Sequence, residues 1–475
     1  MKKILASVGI VAVAGVLSYP GFGLLVEKGL AHQIQSMPKQ YGMMVELKDF
    51  KRHWFSSDVN LLWKWDVPAH LKQNLQGQTI TVSPKHYQKE IHIQIFHGPV
   101  VLHNWKPFFG VGYAATTLKW PFDSQQTQSV EFSDKSVFPL IHVRMALDFL
   151  MHTHWKTEVP AFKLIAKDQS SEIAWGGLTL KNTLTANLDK IKGQVNLVNL
   201  DIHKQEQVID LKAFQTKYDF HLNPVGIYVG QASMALEQLN MGQALQLNQF
   251  KMANQADINK DQFSTRFKGQ VESAQINGLK VGSSAVDVQI SQINASALAK
   301  AQQSLYPQQN ASPSFRNKGF LGVITTIPEL LKYGANLDVN NFHLSLNKGT
   351  IDLNMKLALP ADPQRNSLIN LAQMQTLMGE AHLSVTQKLL VDWLVDLVAK
   401  QIQSQQQLGL EPAPMTEAPT DYAQMARSRT TDKIETLVQS GVIAQKQDQY
   451  IFDLKLQNGQ LTINNLPFDP TWLVI

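Results

Sequence analysis

The chain has no cysteine among its 475 residues. That excludes disulfides, Cys-ligated zinc, iron–sulfur clusters, thiol catalysis and a lipid-modified cysteine behind a leader, and it leaves the redox compartment open. Charge is also sparse. Lys and Arg number 43 against 38 Asp and Glu, a formal balance of +5 with no run of five or six basic residues. Counterion release therefore has no concentrated source, and nucleic acid is not expected as a partner. The strong short signatures of cofactor and hydrolase chemistry are missing too: G-x-x-x-x-G-K-[ST], G-x-G-x-x-G after a strand, H-E-x-x-H, G-x-S-x-G and the calcium loop. No cofactor or metal follows from the sequence, and the expectation is a non-enzyme. At 44% hydrophobic and 17% charged, the chain is too apolar for disorder, and its length allows about three domains of roughly 150 residues.

The first segment that is present is apolar. Lys2 and Lys3 precede Ile4 to Val26, a stretch without a charge that ends at Glu27 and Lys28. As a helix it reaches roughly 34 Å, enough for a hydrocarbon core of about 30 Å. With only basic charges in front, the positive-inside rule leaves Met1 in the cytoplasm and sends the remainder across, which in a bacterium means an inner-membrane protein with a periplasmic body. A cleavable signal peptide is the competing reading, with Ile4 to Leu17 as its apolar region and Ser18, Pro20, Gly21 and Gly23 as breakers. The uncleaved anchor is preferred because the apolar stretch resumes with Phe22, Leu24, Leu25 and Val26 and no clear A-x-A site precedes a polar start.

Beyond Tyr41 the dominant pattern has period two. Val59, Leu61, Trp63, Trp65 and Val67 share one parity, as do Ile91, Ile93 and Ile95, then Phe342, Leu344 and Leu346, then Ile351, Leu353, Met355, Leu357 and Leu359. These are half-buried strands suited to antiparallel sheets. Gly193-Gln194-Val195, Gly230-Gln231-Ala232 and Gly269-Gln270-Val271 lie 37 and 39 residues apart, a weak repeat near forty residues or a chance of turn spacing. Helical spacing enters late, at Leu389, Leu390, Trp393, Leu394, Leu397, Val398 and Ile402. The Pro-rich connector Leu410 to Pro419 and a second helical stretch from about Asp421 to Gln439 follow. A hairpin closes the chain through Asn458-Gly459. The expected fold is mainly β, a β-rich α+β chain: one N-terminal transmembrane helix, a large extended antiparallel sheet and a few C-terminal helices packed on it. The expected domains are residues 1–30, 31–305 and 320–475, with Gln302 to Gly319 as the internal boundary.

Candidate chemistry is thin. Of 14 histidines, His152 and His154 share a strand face like a metal pair, but no carboxylate close in sequence completes a site, and an ordinary strand explains them. Ser36-Met37-Pro38-Lys39 fits S-x-x-K without the partner motifs and reads as accidental. Scattered Trp residues are core or rim positions before they are sugar platforms. An amphipathic sheet can itself bind, however. If its apolar face is only partly covered, the open part is a groove for acyl chains; if fully covered, it is a plugged core, and alternation does not distinguish the two. The residues expected on that face are Val59, Leu61, Trp63, Ile91, Ile93, Ile351, Leu353, Met355 and Leu357.

Several strings together resemble the bacterial YdgA-like family: the Lys-Lys start, Arg52-His53-Trp54-Phe55-Ser56-Ser57, Ile95-Phe96-His97-Gly98-Pro99, Trp175-Gly176-Gly177 and Asn458-Gly459-Gln460-Leu461-Thr462-Ile463-Asn464. His53 and Asn465 depart from the family pattern at turn positions. The resemblance implies an inner-membrane-anchored, periplasm-facing protein of unestablished biochemical role and supplies no catalytic residues. More distantly the chain looks like AsmA-like envelope proteins, which present β-grooves to lipids, an analogy of fold alone. The leading expectation is non-enzymatic binding of lipid or another apolar ligand in a β-groove. A structural or assembly scaffold for another envelope protein is the alternative. A periplasmic hydrolase using residues such as His97, His152 and His154 is the third reading.

Overall fold

The computed structural model describes residues 18–32, 34–35, 43–67, 70–73, 79–82, 85–103, 106–119, 132–204, 207–305, 326–362, 375–407, 422–469 and 472. The fold is mainly β and antiparallel, with few helices. The chain divides into two compact units, one of Met1–Met234 with Ala301–Ile324, the other of Ala235–Lys300 with Thr325–Ile475. Most of the boundary segment Gln302 to Gly319 lies outside the described residues, as does Ser36-Met37-Pro38-Lys39.

The first unit opens with helix α1 (residues 18–32). Its strands are β1 (Met43–Arg52), β2 (Ser56–Val67), β3 (His70–Gln73), β4 (Thr79–Val82), β5 (Lys85–His97), β6 (Val100–His103), β7 (Lys106–Phe109) and β8 (Gly112–Lys119). They continue with β9 (Leu140–Leu147), β10 (Thr153–Val159), β11 (Phe162–Ile165), β12 (Ser171–Trp175), β13 (Leu178–Leu184), β14 (Lys190–Lys204) and β15 (Gln207–Leu222). A continuous antiparallel path runs β1–β2–β5–β8–β9–β10–β13–β14–β15. The short hairpins β3–β4 and β6–β7 pair only within themselves. The alternation seen in the sequence is what a one-sided sheet requires, because residues opposite one another in register share a face.

Strand β16 (Tyr228–Asn240) carries the chain from the first unit into the second. The second unit contains β17 (Leu245–Asn259), β18 (Gln262–Val271), β19 (Ser273–Ile276), β20 (Leu279–Val281), β21 (Ser284–Asn294), β22 (Ala335–Leu346), β23 (Gly349–Leu359) and β24 (Met378–Thr386). After the helices come β25 (Ala444–Lys446), β26 (Gln449–Gln457), β27 (Gln460–Ile463) and β28 (Leu466–Pro467). Helix α2 (Ala295–Leu305) starts directly after β21. Asn294 caps it by accepting from the Ala297 amide at 2.9 Å, and Asp261 accepts from the Ser296 amide at 3.1 Å, so its first orphan donors are met. The glycines of the near-forty-residue repeat fall on β14, β16 and β18, every second strand, so one repeat corresponds to one hairpin. Residues with positive φ interrupt the long strands at Ala213, Gln249 and Gln292, the last beside a register shift between β18 and β21. Asn458 and Gly459 both take positive φ, at 52° and 75°, and turn β26 into β27.

Helices α3 (Gln387–Gln407) and α4 (Tyr422–Gln439) pack on the second unit's sheet and on each other. The inward stripe of α3 keeps Leu390, Leu394, Val398 and Ile402 from the spacing read in its sequence and departs from it at two positions. Trp393 and Leu397 are exposed, while Val391, Val395, Val398 and Ile402 point inward. The reason is that α4 lies alongside α3, so the buried stripe must meet Ala426 as well as the strands. Asp392, half-buried beside this stripe, ties α3 to its neighbours, with Lys348 Nζ at 2.9 Å and Arg427 at 3.5 Å. The Lys348 ammonium holds its carboxyl below the usual carboxylate range.

The expected spanning segment, Ile4 to Val26, is described only from Ser18 onward. Among the described residues no helix is long and apolar enough to cross a membrane. Two residues near the end of that segment, Gly23 and Val26, are buried against the first unit's own strands: Gly23 lies under the His97 ring of β5, and Val26 beside Gly112 of β8. Their apolar character is accounted for by this packing.

Candidate functional site: an apolar cavity beneath the first helix

Strands β2, β5, β8, β9 and β10 bring one face together by register. Val59 stands opposite Ile93, Leu61 opposite Ile91, and Ile95 opposite Ala114; Ala114 in turn faces Met145, Gly112 faces Leu147, and Leu147 faces Thr153. Helix α1 covers this face. Its closeness depends on two glycines. A Cβ on Gly23 would lie 2.8 Å from the His97 ring, and one on Gly112 would lie 2.9 Å from Val26 Cγ2, so neither position accepts a side chain without moving the helix.

Between helix and sheet is a cavity of about 280 Å³. From α1 it is lined by Leu25, Val26, Gly29 and Leu30; from β2 and β5 by Val59, Leu61, Ile93 and Ile95; and from β8 to β10 by Ala114, Met145, Leu147 and Thr153, with Met151 from the connecting turn. Lys28 and His32 of α1 are the exposed polar side chains of the lining. The volume is near the lower end of small-ligand pockets, about 300–1,000 Å³, and such a lining suits an apolar ligand.

At one end the site is fastened by His97, which is fully buried. Its Nδ1 lies 3.1 Å from the Tyr19 carbonyl. Burial lowers its pKa below the ordinary 6.5, against the raising effect of the backbone at Ser56 and Tyr19, so the ring is neutral and Nδ1–H donates to Tyr19. Ser57 Oγ and His97 Nε2 are both buried without a hydrogen-bond partner.

The other two sequence-flagged histidines serve a turn. Asp148, four residues before His152, accepts at Oδ1 from the Leu150 amide at 2.9 Å and the His152 amide at 2.8 Å. Its Oδ2 lies 3.1 Å from His154 Nε2 and 3.3 Å from His152 Nδ1. Burial pushes this carboxyl up, but the His152 amide and the His154 ring outweigh it and hold it below the usual range. The carboxylate thought to be missing near this pair is therefore Asp148, and its lone pairs are committed to the turn. Among the described residues no group of three His, Asp or Glu could hold a metal. His97 binds α1 while His152 and His154 share Asp148, so the three form no single hydrogen-bonded constellation.

The pattern of a bacterial family of proteins of unknown function, DUF945, matches residues 1–471 of the chain. The chain belongs to the DUF945 family. No curated protein and no solved structure matches this DUF945 chain.

The sequence-derived face residues fall in both units of the DUF945 chain. Val59 is fully buried, and Leu61 and Ile93 line the cavity with it; Ile91 is half-buried opposite Leu61, and Trp63 is largely exposed. In the second unit Ile351 stands opposite Val385, Leu353 opposite Leu383, Met355 opposite Ala381 and Leu357 opposite Gly379, all half-buried on β23. Met355 also lines a cavity, but one whose walls include Lys356, Glu380, His382 and Asp453. The next register pairs, Val385 with Tyr450 and Leu383 with Phe452, lead into the packed cluster of Ile434, Ile443 and Tyr450 with Leu390 and Leu394. The lining contributed by α1, Ala114, Met145, Leu147 and Met151 was not anticipated from sequence. Ile95 continued the Ile91–Ile93 parity and could have been named.

Proposed function

We propose that the chain is a bacterial envelope protein, held in the inner membrane by its N-terminal apolar run with both β units on the periplasmic side, and that the first unit binds an acyl chain without chemistry. The observation that carries the binding reading is the apolar cavity beneath α1. Each methylene moved into it from water is worth about 0.8 kcal/mol, and Lys28 and His32 stand where an anionic head would be met. The sequence before Ser18 supports the anchor: Ile4 to Leu17 has no charge, and only Lys2 and Lys3 precede it. The YdgA-like strings point to the same compartment.

The test is to purify the full chain in a mild detergent, extract it with organic solvent and identify co-purified lipid by mass spectrometry, alongside titration with a fluorescent fatty acid. One acyl chain per protein is expected, lost in Ala114→Leu, whose larger side chain enters the cavity. Absence of both lipid and probe binding in the unsubstituted chain would sink the reading.

A further inference from the structure

Three connections of the first unit lie at one end of its sheet. The register sets this: Ser56 pairs with Phe96, Phe96 with Tyr113, Gly112 with Leu147, and Leu147 with Thr153. The β1–β2 turn, the β6–β7 hairpin between β5 and β8, and the β9–β10 turn therefore project together. Their tips are apolar and exposed: Trp54 47%, Phe55 53%, Leu102 66%, Phe109 65%, Phe149 55% and Leu150 74%. Six large apolar side chains facing water at one end of a sheet are the kind of patch that marks a docking surface.

The start of α1 sits among these tips. The Tyr19 ring meets Phe55 edge-on at 4.9 Å, and its hydroxyl donates to the Val100 carbonyl at 2.7 Å. Phe22 meets Phe149 at 6.4 Å. The apolar run Ile4 to Leu17 thus joins the described structure inside the ring of exposed side chains. As a helix those fourteen residues reach roughly 21 Å, short of a hydrocarbon core of about 30 Å. Gly23 cannot add to the run, because it is buried under His97. Sinking the tips to the level of Phe22 extends it to nineteen residues, roughly 28 Å. Lys51 and Arg52 then stand just behind Trp54 and Phe55, the order of cations and aromatic rings found at a bilayer interface.

We propose that this ring of turn residues docks the first unit onto the lipid leaflet through which the N-terminal apolar run passes. The proposal rests on the anchoring part of the proposed function and is independent of the acyl cavity. It assigns to the exposed tips a membrane partner, and to Tyr19 and Phe22 the boundary between embedded and aqueous chain.

The absence of cysteine makes the test direct. Single substitutions Leu102→Cys, Phe109→Cys and Leu150→Cys in the full chain each receive a nitroxide label, with Val198→Cys as control. Val198 is also exposed, but its neighbour Leu197 pairs with Leu178, which faces Val159 at the end of β10 remote from the tips, roughly 20 Å away along the strand. The chain is reconstituted in vesicles of phosphatidylethanolamine and phosphatidylglycerol and first checked by flotation. Expected is co-flotation with oxygen accessibility raised several-fold over that of a water-soluble nickel complex at the three tip labels, and not at Val198. Flotation with all four labels reading water would overturn the docking while leaving the anchor standing. Failure to float would overturn both. Tip labels already shielded without vesicles would assign the ring to a protein surface and overturn the membrane assignment.

Discussion

The two units start from the same alternation of apolar and polar residues and finish it differently. In the second, α3 and α4 press Leu390, Val391, Leu394, Ile434 and Leu437 onto Tyr450 and Phe452, and the face is filled. In the first, α1 reaches its sheet through Gly23 and Gly112, and beside those contacts about 280 Å³ remains. Parity fixes which face avoids water; the volume of the covering helix decides whether that face is a core or a container.

That difference predicts unequal responses to the same kind of truncation. Ile402 is fully buried between α3 and α4, so Ile402→Ala opens a new void and should cost about 3 kcal/mol in a denaturant melt. Gly23→Leu attacks the container from its lid. The new side chain meets the His97 ring first, and a loss of about 2 kcal/mol is expected together with loss of fatty-acid probe binding. Leu61→Ala removes atoms from a wall that already lacks partners on one side, so about 1 kcal/mol is expected, with probe binding retained. Equal costs for Ile402→Ala and Leu61→Ala would mean that the cavity wall is packed like the core.

How far the sequence reached follows the same division. Val59, Leu61 and Ile93 are legible as members of an inward set because strand side chains alternate strictly, whatever lies above them. The identity of the cover is not legible. Ser18 to Val26 is apolar enough to suit lipid or protein, and only the close approach of Gly23 to His97 shows that part of it is spent on the sheet. The α3 stripe holds at Leu390, Leu394, Val398 and Ile402 and departs at Trp393 and Leu397 for a related reason: both satisfy helical spacing, but the partner helix α4 selects Val391 and Val395 instead. The Asp148 turn was missed because a carboxylate four residues from His152 has no strand or helix period to announce it. The exposed tips escaped notice because single apolar residues in turns mean little until register gathers them at one end.

A titrating group also lies beneath the lid of the first unit. His97 is held neutral, its pKa lowered by burial beneath α1. The groups facing it are Arg52 and His53, while Glu27 of α1 lies 3.2 Å from Arg52. Because the folded pKa lies below the unfolded 6.5, the unfolded chain binds the extra proton first. The stabilisation is complete above about 6.5 and is lost as pH falls through that value towards the folded pKa. Stability measured from pH 7.5 down to 5 should therefore fall more steeply in the unsubstituted chain than in His97→Asn, which keeps a donor for Tyr19 but does not titrate. Parallel slopes would show that the ring is accessible to protons in the folded state.

The smallest effects compare two buried hydroxyls, one per unit. Ser57 on β2 and Thr430 on α4 are both fully buried, and neither hydroxyl oxygen has a hydrogen-bond partner. An unmet buried hydroxyl costs about 1–3 kcal/mol in desolvation, which its removal returns. Thr430→Val keeps the shape of the side chain in a filled core, so a gain of about 1 kcal/mol is expected. Ser57→Ala removes the oxygen without replacing its volume, so the gain shrinks to about 0.5 kcal/mol. If Ser57→Ala instead destabilises by about 1 kcal/mol or more, the Ser57 hydroxyl is bonded in solution, and the likeness to Thr430 is lost.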